Sequence, residues 1–150
     1  MFEKKICAIT TSVLLSLAAS SASATTYSCV VTSFSGHEPL VPKKMVFELS
    51  DARVSIRDDI MERVGLVASN AKLDRIVNNE QRFTWKLSPV PRSLKPTGRG
   101  NSWSTTALYR ASLSTKTKSL KLSGRLLPQF SGPTNELFFS GTGQCELADD

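Results

Sequence analysis

The segment at 109–124, YRASLSTKTKSLKLSG, decides the fold class. Apolar residues alternate with polar ones on both sides of a central loop, and pairing Leu113 with Leu120 sets Tyr109 opposite Gly124. In this register one face is apolar throughout, and the charged residues take the other face. The segment therefore predicts an antiparallel β-hairpin with one buried and one solvated face.

The same period-two alternation recurs upstream, around the loop at 50–53. Pairing Leu49 with Val54 puts Phe47 opposite Ile56, again with one apolar face. Downstream of residue 24, no window keeps apolar residues at helical spacing for three turns. This part of the chain is therefore predicted to be all-β.

Two other segments leave alternatives open. Strands at 73–77 and 83–87 flank a turn-forming cluster, but a loop of two, three or four residues pairs them equally well. Within 58–71, the residues at 60–64 fit a helical turn and those at 65–68 fit a strand.

The first strand is predicted at 27–34 and the last at 136–147, which gives about eight antiparallel strands. Short connections favour a meander, either a barrel or a two-sheet sandwich. Cys29 lies in the first strand and Cys145 in the last, and no other cysteine remains once the predicted signal is removed. We expect one disulfide between them, which would hold the first and last strands together and close the sheet.

Residues 1–24 have the pattern of a cleaved secretory signal. Two lysines precede an apolar run at 6–19, and an Ala-Ser-Ala tripeptide follows at 22–24. The run is shorter than the roughly 20 apolar residues of a membrane-spanning helix, and no later segment approaches that length. We expect a single periplasmic or secreted β domain at 25–150, without a transmembrane segment.

Positive charge is concentrated in one part of the chain. The formal net charge is +6, and between Glu80 and Glu136 there are ten basic residues and no acidic one. Strand alternation places five of these on solvent-facing positions, namely Arg82, Lys86, Arg110, Lys121 and Arg125. The long loop at 88–102 adds Arg92, Lys95 and Arg99 beside Trp103. Long loops of this kind are often functional.

Two interpretations of this charge compete. The first is a solvated surface that blunts sheet edges and keeps the protein soluble. The second is an anion-binding face, with an anionic lipid, lipopolysaccharide, an acidic glycan or an acidic protein as its partner. Trp103 is the candidate stacking residue. Nothing resembling a groove-reading motif accompanies the charge, which disfavours nucleic acid.

Two functions of other classes remain open for this chain. An eight-stranded barrel can carry a small apolar ligand, although a set of large side chains favours a packed interior: Phe34, Phe47, Phe83, Trp85 and Phe139. An envelope protein that inhibits an acidic target is a further alternative.

No residue is assigned to catalysis, to a metal or to a cofactor. His37 is the only histidine, and no serine lies in a Gly-x-Ser-x-Gly context. Asp58 and Asp59 are adjacent, so on a strand they would point in opposite directions. The disulfide would also use the cysteines. We therefore expect a non-enzymatic binding module for an anionic partner, with no cofactor.

Overall fold

A computed structural model describes residues 24–50, 53–95, 103–128 and 137–148, apart from the side chains of 103–105 and 127–128. The predicted signal peptide lies outside these residues except for Ala24. Eight antiparallel strands follow one another in chain order around a closed barrel. The strands are β1 Thr25–Gly36, β2 Lys44–Leu49, β3 Val54–Asp58, β4 Ser69–Val77, β5 Glu80–Leu87, β6 Trp103–Ser114, β7 Ser119–Pro128 and β8 Leu137–Leu147. One short helix, α1, spans Asp59–Arg63, and 3₁₀ turns span Glu38–Leu40 and Arg92–Leu94.

Both hairpins whose registers follow from alternation are confirmed. Leu113 pairs with Leu120 in β6 and β7, and Leu49 pairs with Val54 in β2 and β3. The apolar residues that these registers pair across the strands, such as Phe47 with Ile56 and Ala111 with Leu122, are buried inside the barrel.

The β4–β5 hairpin takes the shortest of the loops left open. Asn78 and Asn79 form a two-residue turn, and both have positive φ angles, 50° and 65°. Asparagine tolerates this left-handed conformation better than most residues. A register shift between Leu73 and Arg75 then offsets the pairing of the two strands.

The open segment at 58–71 forms a helix and no early strand. Asp58 caps α1, its Oδ1 accepting a hydrogen bond from the Met61 backbone N–H at 2.7 Å. Gly65 follows with a φ of 75°, and β4 begins only at Ser69. The strand alternative at 65–68 is therefore wrong.

The first and last strands close the sheet. Cys29 lies directly opposite Cys145 in the β1–β8 ladder, and their sulfurs form a disulfide with a Cα–Cα distance of 3.9 Å. The architecture is a barrel, and the sandwich alternative does not apply. Closure removes the two outer edges that an open eight-stranded sheet would present.

Large side chains fill the interior. The Trp85 and Tyr109 rings stack with centroids 5.1 Å apart, and Phe139 meets Tyr109 edge-on, also at 5.1 Å. Phe47 and Phe83 form a second pair at 5.5 Å. These four predicted interior aromatics, Phe47, Phe83, Trp85 and Phe139, are confirmed as buried.

Phe34 is the exception, and its prediction as an interior residue is wrong. β1 pairs with β2 only as far as Val30. The last residues of β1, including Phe34, therefore extend past the end of β2. Phe34 is 43% exposed, and Lys43 Nζ lies 3.4 Å from the centroid of its ring. This cation–π contact replaces core packing.

One end of the barrel is covered by the connections between strands. Buried apolar residues come from α1 and from the two connections that contain the 3₁₀ turns: Leu40, Val41, Ile60, Met61, Val90 and Leu94. The Tyr109 hydroxyl donates a hydrogen bond of 2.9 Å to the Leu40 carbonyl. This bond joins the barrel core to its cover.

Candidate anion-binding site

Strand register brings the basic residues of the middle strands together on the outer face. Lys86 of β5 lies opposite Leu108 of β6, and Leu108 lies opposite Arg125 of β7. Arg110 lies two residues along β6, between Thr84 and Ser123 on the neighbouring strands. From strand spacing, the Cα atom of Arg110 is about 8 Å from those of Lys86 and Arg125.

These side chains border a groove of about 730 Å³ on the outside of the wall. We call it the basic groove. Its basic residues are Lys72, Lys86, Arg110 and Arg125, and its neutral polar residues include Ser69, Asn70, Thr84 and Ser123. Leu108 and Phe138 add apolar surface. Trp85, Tyr109 and Gly124 also border it, and because both rings are buried in the core, their main chain is the part that can reach it.

The charge of the groove is of one sign. None of the described residues that line it is an aspartate or a glutamate. Lys72 lies near one carboxylate outside the lining, with its Nζ 3.9 Å from Asp74 Oδ1. A concave surface with several cations concentrates anions more strongly than the same charges would if they were scattered.

The basic face continues beyond the groove toward the β4–β5 and β6–β7 turns. Arg82 and Lys121 lie opposite Ser112 from its two sides, and both are exposed. Glu80 reaches this region, with its Oε1 3.2 Å from Arg82 Nε. A hydrogen bond from Ser112, with the contact to Arg82, lowers the pKa of Glu80. Glu80 therefore offsets part of the charge here, outside the groove itself.

The predicted candidates separate into three groups. Lys86, Arg110 and Arg125 meet in the groove, and Arg82 and Lys121 share its face. Arg92 and Lys95 lie elsewhere, at the covered end of the barrel, where Val90 and Leu94 anchor this half of the long loop in the core. The other two candidates, Arg99 and the Trp103 side chain, fall outside the described residues.

Among the groove residues that were not predicted, Lys72 is basic, and Leu108 and Phe138 are apolar. Predicting Lys72 would have required the β4–β5 register, which the sequence left open. Leu108 faces outward on β6, a strand whose other described apolar side chains face the core. Phe138 is 62% exposed and lies opposite Arg125. Adjacent phenylalanines at 138 and 139 were the available signal, because a strand can bury only one of two neighbouring residues.

A second cleft of about 570 Å³ lies near the covered end, and its charges are balanced. Glu38 pairs with Lys43 at 2.9 Å, and Asp59 lies 3.8 Å from Arg63. Nearby, His37 Nε2 donates a hydrogen bond to the Leu94 carbonyl at 2.7 Å. The acidic and basic groups of this cleft thus satisfy one another.

The described ranges contain no group of three or more His, Cys, Asp or Glu residues placed to hold a metal ion. The only α-helix they contain is α1, and none of their helices has the length and apolar character needed to cross a membrane.

Comparison of the chain with protein-family models, with curated proteins and with solved structures found no match.

Proposed function

We propose that this protein is an exported, non-enzymatic binding module whose basic groove holds an anionic envelope or extracellular partner. The observation that carries the proposal is the convergence of Lys72, Lys86, Arg110 and Arg125 on one concave surface without a lining carboxylate. Scattered surface cations keep a protein soluble, but they do not need to share a groove.

The energetics favour several weak contacts acting together. An exposed ion pair contributes only about 0.2–1 kcal/mol, so one cation would not bind a partner. Four cations supplemented by hydroxyl and amide groups reach a useful affinity, and their long-range field speeds association. Binding of this type weakens as salt is added, because the Debye length is about 8 Å at physiological ionic strength.

The rigid placement of the four cations also favours binding. The four cations lie on paired strands of a closed barrel, so their backbones are fixed before the partner arrives. Binding then has to order only the ends of the side chains, which lowers its entropic cost. The histidine is held at the covered end by Leu94, away from the groove, so we assign the groove to binding and not to a reaction.

Export is part of the proposal. The predicted signal at 1–24 would direct the chain out of the cytoplasm, where disulfides form and persist. The Cys29–Cys145 disulfide is compatible with such a compartment.

The experiment compares two variants of equal net charge. K86Q/R110Q removes two cations from the groove, and K44Q/R92Q removes two exposed cations near the covered end, neither of which lines the groove. Retention on heparin and on acidic vesicles is measured at low and at physiological salt. We expect the groove variant to lose about tenfold in affinity, equivalent to about 1.4 kcal/mol, and the control variant to lose less than twofold.

Equal losses in the two variants would show that only net charge matters, and the groove would then be an ordinary solvated surface. Retention of the wild type no better than that of a charge-matched unrelated protein would remove the anion-binding function. The search would then turn to the two other hypotheses, a carrier of an apolar ligand and an inhibitor of an acidic target. The filled interior gives the carrier hypothesis no support within the described residues.

A further inference from the structure

The lining of the basic groove contains neutral polar groups as well as cations. Side-chain hydroxyl and amide groups alternate with the cations across the strands: Thr84 and Ser123 flank Arg110, and Asn70 and Ser69 lie on β4. Hydroxyl and amide groups both donate and accept hydrogen bonds, whereas lysine and arginine only donate. A ligand made only of anionic groups could not donate hydrogen bonds to these acceptors.

Apolar surface lies in the same row as two of the cations. Across β5 to β8 the order is Lys86, Leu108, Arg125 and Phe138, so each cation has an apolar neighbour. The exposed Phe138 ring offers a flat face with negative electrostatic potential, which attracts C–H groups. The ligand that matches this row has anionic groups and an apolar ring face within a few ångströms of each other.

We infer that the basic groove binds an acidic polysaccharide chain, an inference that rests on the proposed anion-binding function. Uronic acid or sulfated sugars carry the three required features in every unit: a negative group, hydroxyls that donate and accept, and a ring face of C–H bonds. The cations take the acidic groups, Thr84 and Ser123 take ring hydroxyls, and Phe138 packs against a ring face.

The lining of the groove separates this ligand from two other polyanions. A phosphatidylglycerol surface offers phosphates and hydroxyls, but it has no ring face of C–H bonds to pack against the exposed Phe138 beside Arg125. Single-stranded nucleic acid is held by stacking successive bases on several aromatic rings. Among the described lining residues, Phe138 is the one exposed aromatic side chain.

The test uses purified, oxidised protein and three probes: polygalacturonate, long-chain polyphosphate and vesicles of phosphatidylglycerol in phosphatidylcholine. Affinities are measured for the wild type and for K86Q/R110Q, F138A and F34A. Phe34 is the matched control, because it is also a partly exposed phenylalanine but does not line the groove. Circular dichroism and the unfolding midpoint check that each variant is folded.

We expect polygalacturonate to bind, with affinity about fivefold to tenfold weaker in F138A, unchanged in F34A and about tenfold weaker in K86Q/R110Q. Polyphosphate has no ring face, so F138A should leave its binding unchanged.

Three results would overturn the inference while leaving the anion-binding function standing. They are equal effects of F138A and F34A on polygalacturonate, equal effects of F138A on the two polyanions, and binding to vesicles alone. Failure of all three probes to bind would overturn the anion-binding function as well.

Discussion

Asp58 is the one charged residue buried in the described part of the chain, and its carboxyl should make the protein less stable as pH rises. The residue is 4% exposed. Burial raises the pKa of this carboxyl from 3.8 to about 6, and the nearby charge of Asp59 contributes a smaller part of the rise. Hydrogen bonds from the Met61 and Ile60 backbone and the charge of Arg63 act in the opposite direction. Tyr109 also faces this group from the core, and its own pKa is raised mainly by burial and further by Asp58.

The sign follows from proton linkage. The folded state holds the Asp58 proton more tightly than the unfolded state, so folding takes up a proton between about pH 4 and pH 6. The stabilisation present below pH 4 is therefore lost as pH rises through 6. A difference between 3.8 and about 6 corresponds to about 3 kcal/mol of unfolding free energy, at about 1.4 kcal/mol per pH unit.

The perturbation is Asp58→Asn. Asparagine is a good N-cap, so its side-chain oxygen can keep the hydrogen bond from the Met61 N–H. The new amide N–H groups lack an evident acceptor, which costs about 1 kcal/mol. At pH 7 we expect D58N to be more stable than the wild type by about 2 kcal/mol, and below pH 4 to be less stable by about 1 kcal/mol.

Urea unfolding is followed by tryptophan fluorescence at pH 3.5, 5, 6 and 7, and the free-energy difference between variant and wild type is plotted against pH. Titrating groups that do not interact with Asp58 contribute equally to both proteins, so the slope reports on Asp58 and its coupling to Asp59. The variant Asp58→Ala, which loses the cap as well, separates the hydrogen bond from the charge. A difference that stays constant from pH 3.5 to 7 would refute the raised pKa, and a difference that falls with pH would mean that capping outweighs burial.

Three further substitutions test the fold. Replacing Cys29 with Ser opens a link between residues 116 apart and should cost about 2–5 kcal/mol, measured as a lower urea midpoint under oxidising conditions. An unchanged midpoint would mean that the disulfide does not form. Gly124→Ala should lose about 1–3 kcal/mol, because a Cβ there would overlap the Phe139 ring and approach the Leu108 carbonyl to 2.9 Å. A gain in thermal stability, as expected where alanine replaces glycine in an uncrowded strand, would contradict this packing. Tyr109→Phe removes the hydrogen bond to the Leu40 carbonyl and should cost about 1–2 kcal/mol, with faster hydrogen exchange at the covered end of the barrel. Unchanged exchange in that region would show that the bond does not hold the cover in place.

Alternation predicted the parts of the fold where both strands of a hairpin are apolar on one face. The Leu113–Leu120 and Leu49–Val54 registers are of this kind, because slipping either by one residue would turn its apolar set toward water. The choice of a barrel over a sandwich could not be made this way. It depends on β1 pairing with β8 along its length, and the disulfide alone is compatible with either architecture.

Irregular pairing explains what the sequence left open or predicted wrongly. The shift between Leu73 and Arg75 breaks the alternation of β4, so the sequence could not show that Lys72 shares a face with Arg110. Phe34 was misplaced because the extent of strand pairing depends on the neighbouring strand, which ends early. Both cases concern the point at which a regular pattern stops, and hydrophobic periodicity does not encode that.

β6 shows why the core and the candidate site form together. Tyr109 points inward, stacks on Trp85 and binds the cover, whereas Arg110, the next residue, points into the groove. The packing that fixes the Tyr109 backbone also fixes the Cα position of Arg110, from which its side chain extends. Loop cations such as Arg92 lack this constraint from two neighbouring strands. If the groove binds an anion, the cations on the strands should therefore contribute more to affinity than those of the long loop, because less of their freedom remains to be lost.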